Sequence, residues 1–155
     1  MNVNFKLLYS IKFLVVCLAL LSWKSLAEKT KIDFRGFIDI KSLNIGDNIK
    51  FNNFEIKGVW DDTKGNYGKA HCSGSWLSDV NETRKKDMIY CEFEDQNEQK
   101  FWKKVERKGS EQKAGIGKTI IVEATSNYKK SIGKECIYAI NYTKDAFIMI
   151  LNCNY

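Results

Sequence analysis

Short β-rich runs dominate the sequence after residue 28, and each run ends at Gly, Asn, Asp or Ser, whereas helical periodicity is nearly absent. The runs predict eight strands, near residues 33–40, 50–60, 68–76, 87–95, 99–106, 118–124, 134–142 and 146–153. Strands at this spacing are typical of an all-β fold, an antiparallel barrel or a sandwich. Since the chain has 155 residues and no visible interdomain linker, we expect one domain over residues 28–155.

The first 27 residues have the order of a secretory signal peptide. Three lysines and no acid accompany the unbroken apolar run Phe13–Leu21, and small residues stand at Ser25 and Ala27. The apolar run is much shorter than the roughly 18–20 residues that span a bilayer. An alternative makes Cys17 a lipid-modified cysteine, although Val16 stands where a small residue is wanted. We expect cleavage after Ala27, a periplasmic or secreted protein, and no stable membrane insertion after cleavage.

The charge of the chain argues against nucleic acid as a partner. The whole chain carries 25 basic and 19 acidic residues, but the leader holds three of the lysines, so residues 28–155 have a net charge of +3. Nearly all of the positive charge is Lys, whereas phosphate and base recognition favour the fork of Arg. We therefore expect no nucleic-acid interface.

Removal of the leader leaves four cysteines: Cys72, Cys91, Cys136 and Cys153. An even count in a small exported domain predicts disulfides, and four cysteines allow three pairings. A hairpin that turns at Lys144 and Asp145 places Cys136 directly opposite Cys153, close enough for an S–S bond. The same reasoning around a turn near Asn81 pairs Cys72 with Cys91. No CxxC spacing is present, so we expect no metal site and no cofactor.

Alternation along the strands predicts which faces are buried. Cys72 shares a face with Ala70 and Trp76, and Cys91 with Phe93, so this bridge is expected on the apolar side. The final hairpin differs because both of its faces are apolar. One of them carries Ile137, Ala139, Ile148 and Ile150. A strand with one solvated face should not have this pattern, so either another segment covers it or the 134–153 hairpin forms a homo-oligomer.

Glu92 and His71 are weak catalytic candidates. Glu92 and Glu94 share one strand face and could exchange protons if they faced a lumen, but we favour the interpretation that they face water. His71 is the only histidine, which excludes any site that needs two imidazoles. No nucleophile-elbow sequence accompanies it, so we expect a solvated or ligand-touching His71 rather than a catalytic one.

Aromatic residues near strand ends are candidates for a ligand site, because small-ligand cavities in barrels are lined by rings with a few polar groups. The candidates are Tyr67, Tyr90, Trp102 and Tyr128. Trp60 and Trp76 are better explained by core packing.

The run from Gly115 to Thr119 (GIGKT) resembles the end of a phosphate-binding loop. Gln112 stands where that loop requires its first glycine, and the run enters a strand instead of a helix. We therefore expect a glycine-hinged turn there, within a polar loop over residues 107–117.

Three stretches carry a resemblance to a known kind of protein: GVWDDTKGNYGKAHCSG, YCEFEDQ and AGIGKTIIVEATSNYKKSIGKECIYAINY. They resemble small exported bacterial proteins whose pattern is similar to the eight-stranded barrels of the allene-oxide-cyclase and dirigent type. Those barrels have a GTGxY-like turn followed by a glycine. Thr125, Tyr128 and Gly133 match it, whereas Ala124 and Ser126 replace the motif glycines. The resemblance implies a calycin-like antiparallel barrel with an apolar cavity, often oligomeric, and carries over no catalytic residue.

These observations favour an exported barrel that binds a small, partly apolar ligand in its lumen. The first alternative is a cyclase or isomerase on the same barrel, with Glu92 or His71 moving a proton. The second is a protein-interaction or inhibitor module of the cell envelope. Many targets of such inhibitors are cationic, which a protein of net charge +3 would repel.

Overall fold

The structure, a computed structural model, describes residues 29–79, 84–108 and 114–154. The predicted signal peptide, its cleavage site and the predicted turn at Asn81 lie outside these residues. Within the described part, no helix is long and apolar enough to cross a membrane.

Eight antiparallel strands form a closed barrel in which each strand pairs with its neighbour in sequence and β8 pairs back with β1. The strands are β1 Lys29–Ile45, β2 Ile49–Asp62, β3 Tyr67–Asp79, β4 Arg84–Asp95, β5 Lys100–Lys108, β6 Ala114–Ala124, β7 Glu135–Thr143 and β8 Ala146–Asn154. A 3₁₀ helix, Ser126–Ser131, connects β6 to β7. The prediction of an antiparallel, eight-stranded barrel is confirmed, and the sandwich alternative is excluded.

Two disulfides join neighbouring strands, as the alternation predicts. Cys72 lies opposite Cys91 in the β3–β4 pair, and Cys136 lies opposite Cys153 in the β7–β8 pair. All four sulfur-bearing side chains face the interior and are buried. The β7–β8 turn falls on Lys144 and Asp145, because Thr143 pairs with Ala146.

The segment between β5 and β6 differs from its prediction. We expected a polar loop over residues 107–117, but β5 continues to Lys108 and β6 begins at Ala114. Gly115 and Gly117 therefore lie inside a strand and not at a hinged turn. They pair with Ile140 and Tyr138 of β7, and a strand tolerates glycine where another group must approach closely.

Large rings fill one end of the barrel, which we call the closed end. Phe93 stacks on Phe101 with 5.0 Å between ring centroids, and the edge of Trp60 meets both rings. Trp60 donates from its indole nitrogen to the backbone carbonyl oxygens of Lys69 and Glu94, at 3.2 Å each. The buried polar atom is thus satisfied, and the three rings pack against one another in the core.

The 3₁₀ helix holds Tyr128 against the closed end. The Tyr128 ring lies 4.8 Å from that of Phe101, and its hydroxyl donates to the Asp95 carboxylate at 2.9 Å. Asp95 also accepts from the backbone N–H groups of Asn97 and Gln99, which fixes the β4–β5 turn. Tyr128, which belongs to the GTGxY-like turn, therefore stabilises the closed end.

The opposite end is open because the strands there differ in length. Pairing of β1 with β8 stops at Phe37 and Ala146, whereas pairing of β1 with β2 continues to Ile45 and Ile49. The β1–β2 hairpin, with β3 beside it, therefore stands above the rest of the rim as a wall. Asn52, buried on this wall, accepts a hydrogen bond from Ser42 and donates to Ser78.

Candidate ligand cavity

A cavity of about 460 Å³ occupies the lumen between the aromatic closed end and the open rim. This volume falls within the range of about 300–1,000 Å³ that is typical of small-molecule sites. Its lining is mostly aliphatic and aromatic: Phe34, Ile38, Ile40, Phe54, Ile56, Cys72, Trp76, Ile89, Cys91, Val105, Tyr138, Ile140, Phe147 and Met149. Inward positions of all strands except β6 contribute to it, because alternate side chains of a closed sheet must share its interior.

The polar lining residues gather at the open rim. They are Arg107, Asn141, Tyr142 and Lys144. Arg107 lies at the end of β5, Asn141 and Tyr142 lie near the end of β7, and Lys144 lies in the turn that follows. Among the described residues that line the cavity, both charged side chains are cations, and none is a carboxylate or an imidazole.

Two glycines of β6 make room for side chains from neighbouring strands. A Cβ atom on Gly115 would lie 2.7 Å from Nη2 of Arg107, and one on Gly117 would lie 2.6 Å from the ring of Tyr138. The run that resembles a phosphate loop therefore has a steric role. It lets a guanidinium and a phenol ring lie across the inner face of β6.

The four rings predicted to bind ligand all lie outside the cavity. Tyr67 and Tyr90 are exposed, with 61% and 47% of their surface accessible. Trp102 lies on the outer face of β5, where its indole nitrogen donates to Glu92 at 2.9 Å. Tyr128 lies beneath Phe101 at the closed end. Of the predicted core rings, Trp60 belongs to the closed end, whereas Trp76 both packs in the core and lines the cavity.

Glu92 and His71 face each other on the outside of the barrel, directly opposite in the β3–β4 pair. Hydrogen bonds from Lys100, and then from Trp102, hold the pKa of the Glu92 carboxyl below its usual value. A carboxylate kept ionised in this way is a poor general acid at neutral pH. His71 lies 4.0 Å from Glu55 on the same outer surface. The interpretation of Glu92 and Glu94 as water-facing agrees with this placement.

The structure also places a lysine in the core that the sequence analysis missed. Lys103 of β5 has no accessible surface, and its Nζ donates to Sγ of Cys136 at 3.1 Å, with Sγ of Cys153 at 3.8 Å. The same Nζ lies 5.6 Å from the ring centroids of both Phe93 and Phe101. Burial lowers the pKa of the Lys103 ammonium from 10.5 to about 7.

A signal for Lys103 does exist in the sequence. Phe101, Lys103 and Val105 alternate with Trp102 and Lys104, so the period of two places Lys103 on the inward face. The residue type argues against burial. The period is the better guide here, because Lys103 lies well inside the barrel, where an inward side chain of a closed sheet has no access to water.

Comparison of this chain with protein-family models, with curated proteins and with solved structures finds no match. Within residues 29–79, 84–108 and 114–154, no group of three or more His, Cys, Asp or Glu side chains is placed to hold a metal ion. Three features of the described residues therefore bear on function: the cavity, its cationic rim and Lys103.

Replacing Lys103 with Met is expected to raise the free energy of unfolding by about 1–4 kcal/mol at pH 7, because a buried amine is exchanged for an apolar chain of similar shape. The folded-state pKa is lowered, so between about pH 8 and pH 10 the unfolded state binds this proton and the folded state does not, and the wild type gains stability as the pH rises. The advantage of the variant should therefore shrink by about 1.4 kcal/mol for each pH unit over that range, and by less near pH 7.

Urea unfolding of both proteins from pH 6 to pH 10 measures this difference. Lys104→Met, on the exposed face of the same strand, is the matched control and should change the free energy by less than about 1 kcal/mol. A Lys103→Met advantage that stays constant over this pH range would show that the amine is not held in the core.

Proposed function

We propose that this protein is an exported barrel that binds a small, partly apolar ligand in its lumen. The observation that carries the proposal is the cavity of about 460 Å³, apolar along its walls and open at one end of the barrel. Burial of a ligand there would contribute roughly 25 cal/mol for each Å² of apolar surface removed from water. Packed rings occupy the opposite end, so the rim is the entrance that we propose for the ligand.

The chemistry of the lining favours a binding protein over a cyclase or isomerase. Glu92 and His71, the proton-transfer candidates, lie on the outer face of the sheet, and the described lining holds neither a carboxylate nor an imidazole. Proton transfer to a bound substrate requires a group within hydrogen-bond reach of it. Neither Glu92 nor His71 lies within reach of a ligand in the lumen, which supports binding over the catalysis proposed for these two residues.

Replacing Val105 with Trp is expected to weaken ligand binding at least tenfold, because Val105 lines the cavity and an indole ring would occupy much of its width. The measurement is fluorescence titration with N-phenyl-1-naphthylamine, a neutral dye that brightens in apolar sites. Met88→Trp, on the exposed face of β4, is the control and should leave the dye affinity unchanged.

Peptide mapping of both disulfides and far-ultraviolet circular dichroism establish that each variant is folded. If folded Val105→Trp binds the dye as tightly as the wild type does, the ligand does not occupy the lumen and the proposal fails.

We also propose that the leader directs export and is removed after Ala27. The two disulfides support this, because such bonds persist in oxidising compartments outside the cytosol. Amino-terminal sequencing of protein recovered from the periplasm or the medium should begin at Glu28. Recovery of the intact chain with reduced cysteines from the cytosol would contradict export.

A second copy of this chain is the partner that we propose for the outer face of β6, β7 and β8. Ala139 pairs with Ile116 on one side and with Ile150 on the other, and Ile137 and Ile148 beside this row are 64% and 61% exposed. We call these five residues the outer patch. No described segment covers it, and apolar surface of this kind marks protein contacts.

Charges on the rim of the outer patch support self-association. Asp33 and Arg35 flank it on β1, and Lys118 and Glu135 form an ion pair on the opposite side. A two-fold dimer brings the same surface of both subunits together, so a rim with both signs on each side can complement itself.

Replacing Ile148 with Lys is expected to convert a dimer into a monomer, because the new ammonium would be desolvated at the centre of the interface. Native mass spectrometry of the oxidised protein measures the subunit number. Met88→Lys, equally exposed but on β4, away from the outer patch and its rim, is the control and should remain dimeric. A wild type that is monomeric at tens of micromolar would overturn the proposal.

A further inference from the structure

We propose that the ligand is an amphiphile with a single apolar chain and an anionic head, a carboxylate or a phosphate, and that Arg107 and Lys144 hold this head at the rim. The inference rests on the proposed function and adds the chemical class of the ligand.

The lining separates polar from apolar groups along the barrel axis. Val105, Ile89 and Phe147 line the lumen walls, whereas Arg107 and Lys144 mark its open end. A neutral apolar ligand would require no charge there, and a cationic ligand would be repelled. Both charged lining residues are positive. A ligand with an anionic group at the rim and an apolar chain in the lumen therefore matches both the cationic and the apolar part of the lining.

The guanidinium of Arg107 is set across the inner face of β6 by the absence of a side chain on Gly115. Nη2, Nε and Cζ of Arg107 lie 2.7–3.0 Å from the position that a Gly115 Cβ would take. Any larger residue at 115 would displace the guanidinium from this place. Arg107 is half-buried beside an apolar wall, so its charge is less screened than that of a surface arginine.

The chemistry of the two cations identifies the head group. The planar fork of Arg matches the paired oxygens of a carboxylate or phosphate, and Lys adds a point charge. Lys144 is exposed in the β7–β8 turn, so we expect Arg107 to contribute most of the selectivity. Loss of one hydrogen-bonded charge partner at such a site reduces affinity by about tenfold or more.

The test measures displacement of N-phenyl-1-naphthylamine from the oxidised protein by four twelve-carbon compounds: dodecanoate, dodecyl phosphate, 1-dodecanol and dodecylamine. All are used below their micellar concentrations. The proposal predicts that at least one anion binds about tenfold or more tightly than the alcohol, and that the amine binds more weakly than the alcohol. The two anions distinguish a carboxylate from a phosphate as the preferred head.

Three variants assign the selectivity to Arg107. Arg107→Gln should remove most of the preference for the anion over the alcohol, and Gly115→Ala should reduce the preference although every charge is kept. Lys104→Gln removes one cation from the outer face of the same strand, and it should retain the wild-type preference. If Gly115→Ala fails to fold, Arg107→Gln and Lys104→Gln alone decide the question.

The alkyl-chain length of the added compound provides a second measurement, which separates the proposal of an anionic head group from that of an apolar lumen site. Affinity should rise by about fourfold for each added methylene from octanoate to dodecanoate if the chain enters the lumen. Equal binding of anion, alcohol and amine, together with this rise, would overturn the anionic head but keep the apolar lumen site. Failure of all four compounds to displace the dye would overturn the single-chain amphiphile as the ligand, whereas the lumen site itself is decided by the dye affinity of Val105→Trp. Anion selectivity unchanged in Arg107→Gln would overturn the assignment to Arg107.

Discussion

Backbone hydrogen bonds between β8 and β1 close the sheet, and the other features of this protein depend on that closure. The pairing runs from Lys29 opposite Asn154 to Phe37 opposite Ala146. Once it forms, each described strand is paired on both sides, and alternate residues of each strand point into a single interior. An open sheet of the same strands would have two faces and no lumen. Both disulfides join directly opposed inward positions of neighbouring strands, so in the closed barrel they lie inside this interior.

The size of the inward side chains decides which part of the lumen is filled. Trp60, Phe93 and Phe101 meet through their faces and edges at the closed end, and Tyr128 adds a fourth ring below them. Nearer the rim the inward side chains are mixed in size, with Ile89 and Val105 side by side on β4 and β5, and with the rings of Phe54 and Trp76 on β2 and β3. Together they leave the lumen unfilled and form the cavity. Its opening follows from the extra length of the β1–β2 hairpin.

Burial of Lys103 destabilises the folded state. Its amine lies among Phe93, Phe101 and the Cys136–Cys153 bridge, where its pKa falls to about 7. This shift means that burial disfavours the charged form by about 5 kcal/mol relative to water. The two disulfides, whose cysteines are 19 and 17 residues apart in sequence, each contribute about 3 kcal/mol in the chain-entropy description and offset this cost. The bridge also gives the amine a hydrogen-bond acceptor, so its burial is not wholly uncompensated.

The sequence by itself determined the strands, their antiparallel order and the disulfide pairs, because a period of two and the positions of turn residues are local properties of the chain. Cys136 and Cys153 could be paired through the geometry of a single hairpin. The lining of the cavity was decided only by the tertiary structure. Tyr67 and Tyr90 appeared suited to a ligand, but the barrel turns them outward. Arg107 gains its place from Gly115 on the neighbouring strand β6, through a contact that depends on the register of β5 against β6, which the pattern within either strand alone does not give.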